Sequence, residues 1–124
     1  MSDAFPSILL LIPAYNEESR IAPVLEDYAV YFREHHPERF SLVVVLNGCT
    51  DNSLGVVEAA SEIFPEIRCV NIPEPIGKGG ALIEGLKLAP RADLVGYVDA
   101  DGATPPAAFD DLVRQCADTD CVIG

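Results

Sequence analysis

Ser7-Ile8-Leu9-Leu10-Leu11-Ile12-Pro13-Ala14-Tyr15-Asn16-Glu17-Glu18 is the stretch that decides the fold. Residues 7–12 read as a strand whose apolar side chains do not alternate with polar ones, and Pro13 ends the run. A strand apolar on both faces is covered on both faces, which is the condition of a parallel sheet. The polar turn that follows leads into a segment from about residue 18 to 36 with apolar residues at Ile21, Val24, Leu25, Tyr28 and Phe32. That is the spacing of a one-sided helix, and Pro37 stops it. His35 and His36 fall at its polar end.

The same alternation repeats along the chain. Residues 42–46 form a second apolar strand, and Asn47-Gly48-Cys49-Thr50-Asp51-Asn52-Ser53 is a loop rich in helix-capping residues. The next helix carries Leu54, Val57, Ala60 and Phe64 inward, and Pro65 breaks it. Residues 67–72 give a third strand, and residues 73–80 lead through Gly77-Lys78-Gly79-Gly80 into a third helix ending near Leu88. Leu94-Val95-Gly96-Tyr97-Val98 then runs into Asp99-Ala100-Asp101. Thr104 is expected to cap a fourth helix with Pro105 at its first position and Phe109, Leu112, Val113 and Cys116 inward. Cys121-Val122-Ile123-Gly124 reads as a fifth strand. Strands and helices in strict turn imply βαβ units, a mostly parallel sheet and right-handed crossovers. The α/β chain is expected to be one domain, 1–124, C-terminally truncated, with a free edge inclined to pair with another copy as a homo-oligomer.

Composition narrows the function. The chain has 124 residues, 49% of them apolar, and a net charge of −12. Such a charge argues against nonspecific binding to nucleic acid or to an anionic membrane, since each phosphate contact needs a Lys or Arg. An anionic ligand would need the field reversed locally by a metal, a helix N-terminus or a placed Lys. Cys49, Cys69, Cys116 and Cys121 form no C-x-x-C pair, so reduced thiols are expected rather than zinc. No signal-peptide pattern and no apolar run long enough to span a bilayer is seen in this sequence, and it reads as cytoplasmic.

The polar loops lie where strands end, which is where open parallel sheets bind ligands. Asp99 and Asp101 are one residue apart, and carboxylates that converge repel unless a cation sits between them. Hard divalent cations prefer such oxygen donors. A helix opening at Gly77-Lys78-Gly79 offers backbone amides to an anion, but Gly79 stands where a phosphate-binding P-loop needs Ser or Thr. Glu17 and Glu18 suit either a ligand or the positive end of the first helix. Asn47 and Asp51 suit either a base or ribose, or turn and cap formation.

Taken together, the four loops resemble the family 2 glycosyltransferases of the GT-A (Rossmann-like) fold. Pro13-Ala14-Tyr15-Asn16-Glu17-Glu18 matches the opening motif, the loop at residues 47–53 the second, and Gly77-Lys78-Gly79 the third. Asp99-Ala100-Asp101-Gly102-Ala103-Thr104 matches the D-x-D motif, in the form closest to dolichyl- and polyprenyl-phosphate sugar transferases. The resemblance implies a UDP- or GDP-linked sugar donor held with Mg²⁺ or Mn²⁺, and leaves the acceptor open between a lipid phosphate such as a polyprenyl phosphate and a hydroxyl. Pro13, Tyr15 and Glu17 would line the nucleotide pocket, with Asn47 and Asp51 beside base or ribose and Gly77 and Lys78 towards base or diphosphate. Asp99, Ala100 and Asp101 would handle ribose and metal, Asp101 being the stronger ligand. Leu46-Asn47 departs from the paired aspartates usual in the second loop, which leaves the nucleotide open. The family's acceptor and catalytic-base region lies beyond residue 124, so the alternative is a non-catalytic nucleotide-sugar-binding module or a fragment that needs a partner chain.

Overall fold

A strand that is apolar on both faces has to lie inside a sheet, and β1 (Ile8–Ala14) does so. The structure, a computed structural model, describes residues 7–74, 76–77, 79–80, 83–84, 87 and 94–116. After β1 come α1 (Ile21–His35), β2 (Phe40–Asn47), α2 (Ser53–Ile63), β3 (Ile67–Ile72), β4 (Leu94–Tyr97) and α3 (Pro106–Cys116). Backbone at residues 79–80, 83–84 and 87 is also helical. The described strands form one sheet in the order β3-β2-β1-β4, and every pairing is parallel. The expected third helix is thus described only in part, and the fifth strand lies outside the described residues.

Alternate side chains of β1 enter opposite layers. Ile8, Leu10, Ile12 and Ala14 join the main core with α1, α2 and α3, whereas Leu9 and Leu11 join Val43 and Val45 in a second buried cluster. Pro13 does not end the strand as its chemistry suggested, for it pairs in register with Val45. The bonding direction explains this. Ser7 O and Leu11 O accept Leu94 N and Val98 N, so odd residues of β1 bond towards β4. The β4 ladder stops at Leu11 opposite Tyr97, and the missing N–H of Pro13 falls beyond it.

Several expected boundaries move for local reasons. Helix α1 starts at Ile21 rather than near Glu18, because Arg20 N and Ile21 N both donate to Glu17 O and make a separate turn of residues 17–20. Helix α3 starts at Pro106, since Pro105 O accepts the first helical bonds from Ala108 and Phe109. In α3 Phe109 and Val113 are buried as expected, but Leu112 is 41% exposed, and the side chain of Cys116 lies outside the described residues. The residue that fills the remaining inward position is Asp110.

That buried aspartate holds the last helix onto the first. Asp110 Oδ1 pairs with His36 Nε2 at 2.7 Å, and Asp110 Oδ2 accepts from Tyr31 Oη at 2.8 Å and Arg114 Nε at 3.1 Å. His36 is therefore an interior partner and not part of a polar helix end. Tyr28 Oη donates to Thr104 O at 2.7 Å, fixing the segment just before α3 to the same helix. Burial pushes the Tyr28 phenol well above its ordinary value, so it stays a donor. Burial would also push the Asp110 carboxyl up, but the hydrogen bonds from Tyr31, His36 and Arg114 outweigh it and hold the group below the usual carboxylate range. A buried charge stripped of its partner, or partners stripped of their charge, is costly.

Asp110→Ala is expected to lower stability by about 3 kcal/mol in urea unfolding followed by circular dichroism. Because the folded carboxyl titrates below its unfolded value of roughly 3.9, its contribution is complete above that pH and is lost as the pH falls through the folded value. The wild-type midpoint should fall on acidification below about pH 4, and the fall should be smaller in Asp110→Ala.

Candidate functional site

In the strand order β3-β2-β1-β4 the chain moves one way from β1 and returns to the other side for β4, so the order reverses between these two neighbours. Loops leaving their carboxyl ends diverge and leave a crevice. A cleft of about 280 Å³ lies there. Pro13, Tyr15, Glu17, Asn47, Asp99, Ala100 and Asp101 line it together, with Ala14 and Arg20.

The D-x-D segment is shaped by its middle residue and its glycine. Ala100 is buried in the main core, whereas Asp99 and Asp101 are exposed to the cleft side. Asp101 Oδ1 accepts from Ala103 N at 2.9 Å, closing a turn around Gly102, whose φ is +80°. A Cβ on Gly102 would come within 3.3 Å of Val24 Cγ2 and would be strained at that φ, so the turn requires glycine.

The first and second loops are sewn together. Asn16, at φ +51°, takes Thr50 N at 2.7 Å and Asp51 N at 3.3 Å on Oδ1 and donates Nδ2 to Thr50 Oγ1 at 3.2 Å. Glu17 N donates to Ser53 Oγ at 3.0 Å and Glu18 N to Asp51 Oδ2 at 3.1 Å, while Glu18 Oε1 accepts from Asn52 N at 3.0 Å. Asp51 Oδ1 also accepts from Ser53 N and Oγ at 3.0 and 2.6 Å. The Ser53 hydroxyl foremost, with the amides of Ser53 and Glu18, holds the Asp51 carboxyl below its ordinary range. Asp51 is thus spent on the loop and the start of α2 and is not among the residues lining the cleft.

Asn47 lines the cleft but its amide is also engaged, with Oδ1 accepting Ile76 N at 2.8 Å and Nδ2 donating to Ile76 O at 3.5 Å. It ties the second loop to the third. Gly77 is exposed with open space around it and does not line the cleft, and Lys78 lies outside the described residues. Tyr15 stands 59% exposed at the rim, an aromatic face open to a planar ring. Burial pushes the Cys69 thiol up to about 11, which favours the thiol over the thiolate.

Two residues escaped the reading of the sequence. Asn16 is the centre of the loop network, and its signal was an Asn after a strand end, one of the few side chains that tolerates a left-handed backbone. Arg20 lines the cleft with its guanidinium on Glu17, and its signal was a cation in the first turn of a helix, where the dipole disfavours it.

A divalent cation fits the donor set in one particular way. Among the described residues no three His, Cys, Asp or Glu side chains are grouped to share a metal ion. Asp99 and Asp101 supply hard carboxylate oxygens, and Mg²⁺-like ions are held by one or two carboxylates with phosphates and water filling the rest. The pair therefore suits a cation that arrives with a phosphate ligand.

The strand order and an acidic cleft at its reversal define the class, an α/β domain of the GT-A type. A mannosyltransferase from Pyrobaculum calidifontis, solved in complex with GDP-Man and Mn²⁺, superposes with a TM-score of 0.70 and 28% identity over 78% of this chain and 28% of its own. Residues 9–124 match the profile of glycosyl transferase family 2, and the chain belongs to that family. A dolichyl-phosphate beta-glucosyltransferase of Trichomonas vaginalis is 36% identical over 109 residues, covering 85% of this chain. An undecaprenyl-phosphate 4-deoxy-4-formamido-L-arabinose transferase of Shewanella sediminis is 30% identical over 110 residues, covering 87% of it. The chain spans 32% of the length of each of these relatives. No helix among the described residues is long and apolar enough to cross a membrane.

Asn16→Ala should remove the side-chain hydrogen bonds to Thr50 and Asp51 and strain a left-handed backbone, lowering the thermal midpoint by an amount equivalent to roughly 2 kcal/mol. Asn16→Gly keeps the backbone permissive and should cost less, which differential unfolding of the two variants would measure.

Proposed function

We propose that this chain is the donor-binding portion of a glycosyltransferase that takes a sugar from a UDP- or GDP-linked donor, with Mg²⁺ or Mn²⁺, and passes it to a polyprenyl phosphate. The observation that carries the reading is the meeting of Asp99 and Asp101 with Tyr15 and Glu17 in one cleft at the reversal of strand order. The names of the polyprenyl-phosphate relatives support the acceptor, and the GDP-Man and Mn²⁺ of the archaeal structure support donor and metal.

Each residue then has a task. Pro13 and Tyr15 present an apolar wall and an aromatic face to the base. Asn47 holds the Ile76 backbone and so sets the width of the base end. Asp99 and Asp101 would hold the cation. When bound, it withdraws charge from the diphosphate that departs as the sugar is transferred. Arg20 balances Glu17 in a cleft that is otherwise acidic. A phosphate acceptor is already an anion, so attack on the sugar needs no base from residues 1–124.

Calorimetry of the full-length protein with GDP- and UDP-sugars, with and without Mn²⁺, tests this. One nucleotide should bind in a Mn²⁺-dependent way, and Asp101→Ala should weaken it at least roughly tenfold, the low end of what disturbing a metal ligand costs. Mn²⁺ alone should bind far more weakly than with nucleotide, because among the described residues the pair Asp99 and Asp101 leaves most of the cation's coordination to phosphate and water. Absence of binding to every nucleotide would overturn the proposal, and sugar transfer to a polyprenyl phosphate would separate an enzyme from a binding module.

A further inference from the structure

Glu17 and Arg20 form a pair that the stability of helix α1 does not account for. The Glu17 side chain is 15% exposed in the cleft wall, and its Oε1 takes both Nη2 and Nε of Arg20, the latter at 2.8 Å. The turn in which Arg20 N and Ile21 N share Glu17 O brings the two side chains together. Arg20 occupies the N-cap position of α1 and makes no side-chain cap bond. That position favours Ser, Thr, Asp or Asn, and a cation there faces the positive end of the helix. The helix dipole does not favour arginine at this point, and beyond the i,i+3 pair with Glu17 the side chain's place is the cleft wall.

We propose that Arg20 is a positioning residue for ligand recognition, fixing Glu17 through Oε1 so that Oε2 accepts a sugar hydroxyl of the nucleotide sugar. The proposal rests on the donor-binding reading above. Among the described residues Oε2 takes no hydrogen bond, while Oε1 is held by both guanidinium nitrogens. Arg20 is also the cation among the described residues lining the cleft, against Glu17, Asp99 and Asp101. With Glu17 neutralised, two carboxylates remain to face the cation and diphosphate. The site is divided: one carboxylate reads hydroxyls and two hold metal. Arg suits the task better than Lys because its planar fork holds one carboxylate oxygen from a fixed direction.

Calorimetry on the full-length protein in Mn²⁺ would compare wild type, R20Q, R20K, E17Q and R20Q/E17Q, with thermal unfolding of each. R20Q and E17Q should each weaken nucleotide-sugar binding roughly tenfold, the double variant should be no weaker than E17Q, and R20K should lie between wild type and R20Q. The thermal midpoint of R20Q should match wild type, since Arg20 is largely exposed and such pairs add little to stability. Two ligand arms locate the hydroxyl, one pairing the ribonucleoside diphosphate with its dideoxyribose analogue and one pairing the nucleotide sugar with the free nucleoside diphosphate. Wild type should discriminate in one arm, and E17Q and R20Q should lose that discrimination. Wild-type affinity in R20Q would overturn the inference while leaving the donor-binding reading intact. So would losses in the double variant that multiply, or a uniform loss that tracks a lowered midpoint. A wild-type protein that binds no nucleotide would overturn both.

Discussion

Strand β1 bonds to β2 through its even residues and to β4 through its odd ones, and the remainder of the structure follows from that position. A strand paired on both sides and covered on both faces can carry no polar side chain until it leaves the sheet. Its polar residues therefore begin at the strand end, in residues 15–18, beside the crevice opened by the reversal of strand order. The same geometry admits Pro13 to the ladder, since its missing donor points where β4 has already stopped. Pro13, Ala14, Tyr15 and Glu17, which line the cleft, thus sit at or just beyond the carboxyl end of the strand that is paired on both sides.

Helix α1 is the second organising element. Its apolar stripe seals one face of the sheet, and its tyrosines and the adjoining His36 reach 74 to 79 residues along the chain to Thr104 and Asp110. These contacts set the height of the segment that carries Asp99 and Asp101, while Ala100 anchors it in the core and Gly102 turns it. A buried ionic cluster is seldom a net gain over apolar packing, but it is directional. Direction is what fixes the place of two carboxylates that line a cleft.

Polar residues of the loops divide into those whose bonds join the loops and those that line the cleft. Asn16 bonds to Thr50 and Asp51, Glu18 to Asn52, Asp51 to Ser53 and Glu18, and Asn47 to Ile76, so these side chains tie loop to loop. Such bonds hold the loops open as a fixed cleft, which spares a ligand the cost of ordering them. Tyr15 remains exposed at the rim, Asp99 and Asp101 line the cleft, and Glu17 Oε2 takes no bond from described residues.

Periodicity alone determined that this is a parallel α/β chain, because a continuous apolar run such as residues 8–12 and a stripe such as Ile21, Val24, Leu25, Tyr28 and Phe32 each satisfy one backbone geometry. The four polar loops and the D-x-D pair were legible for the same reason, being local breaks in those patterns. The identity of Asp110 and His36 as an interior pair was not legible, since a charged residue on an inward helix position is explained only by a partner 74 residues away. Nor could residue types tell Asp51, consumed by Ser53 and Glu18, from Asp101, left at the cleft. Both are aspartates in capping-rich loops, and chemistry alone treats them alike. The tertiary structure separates them, because hydrogen-bond partners are assigned by the three-dimensional meeting of loops and not by order along the chain.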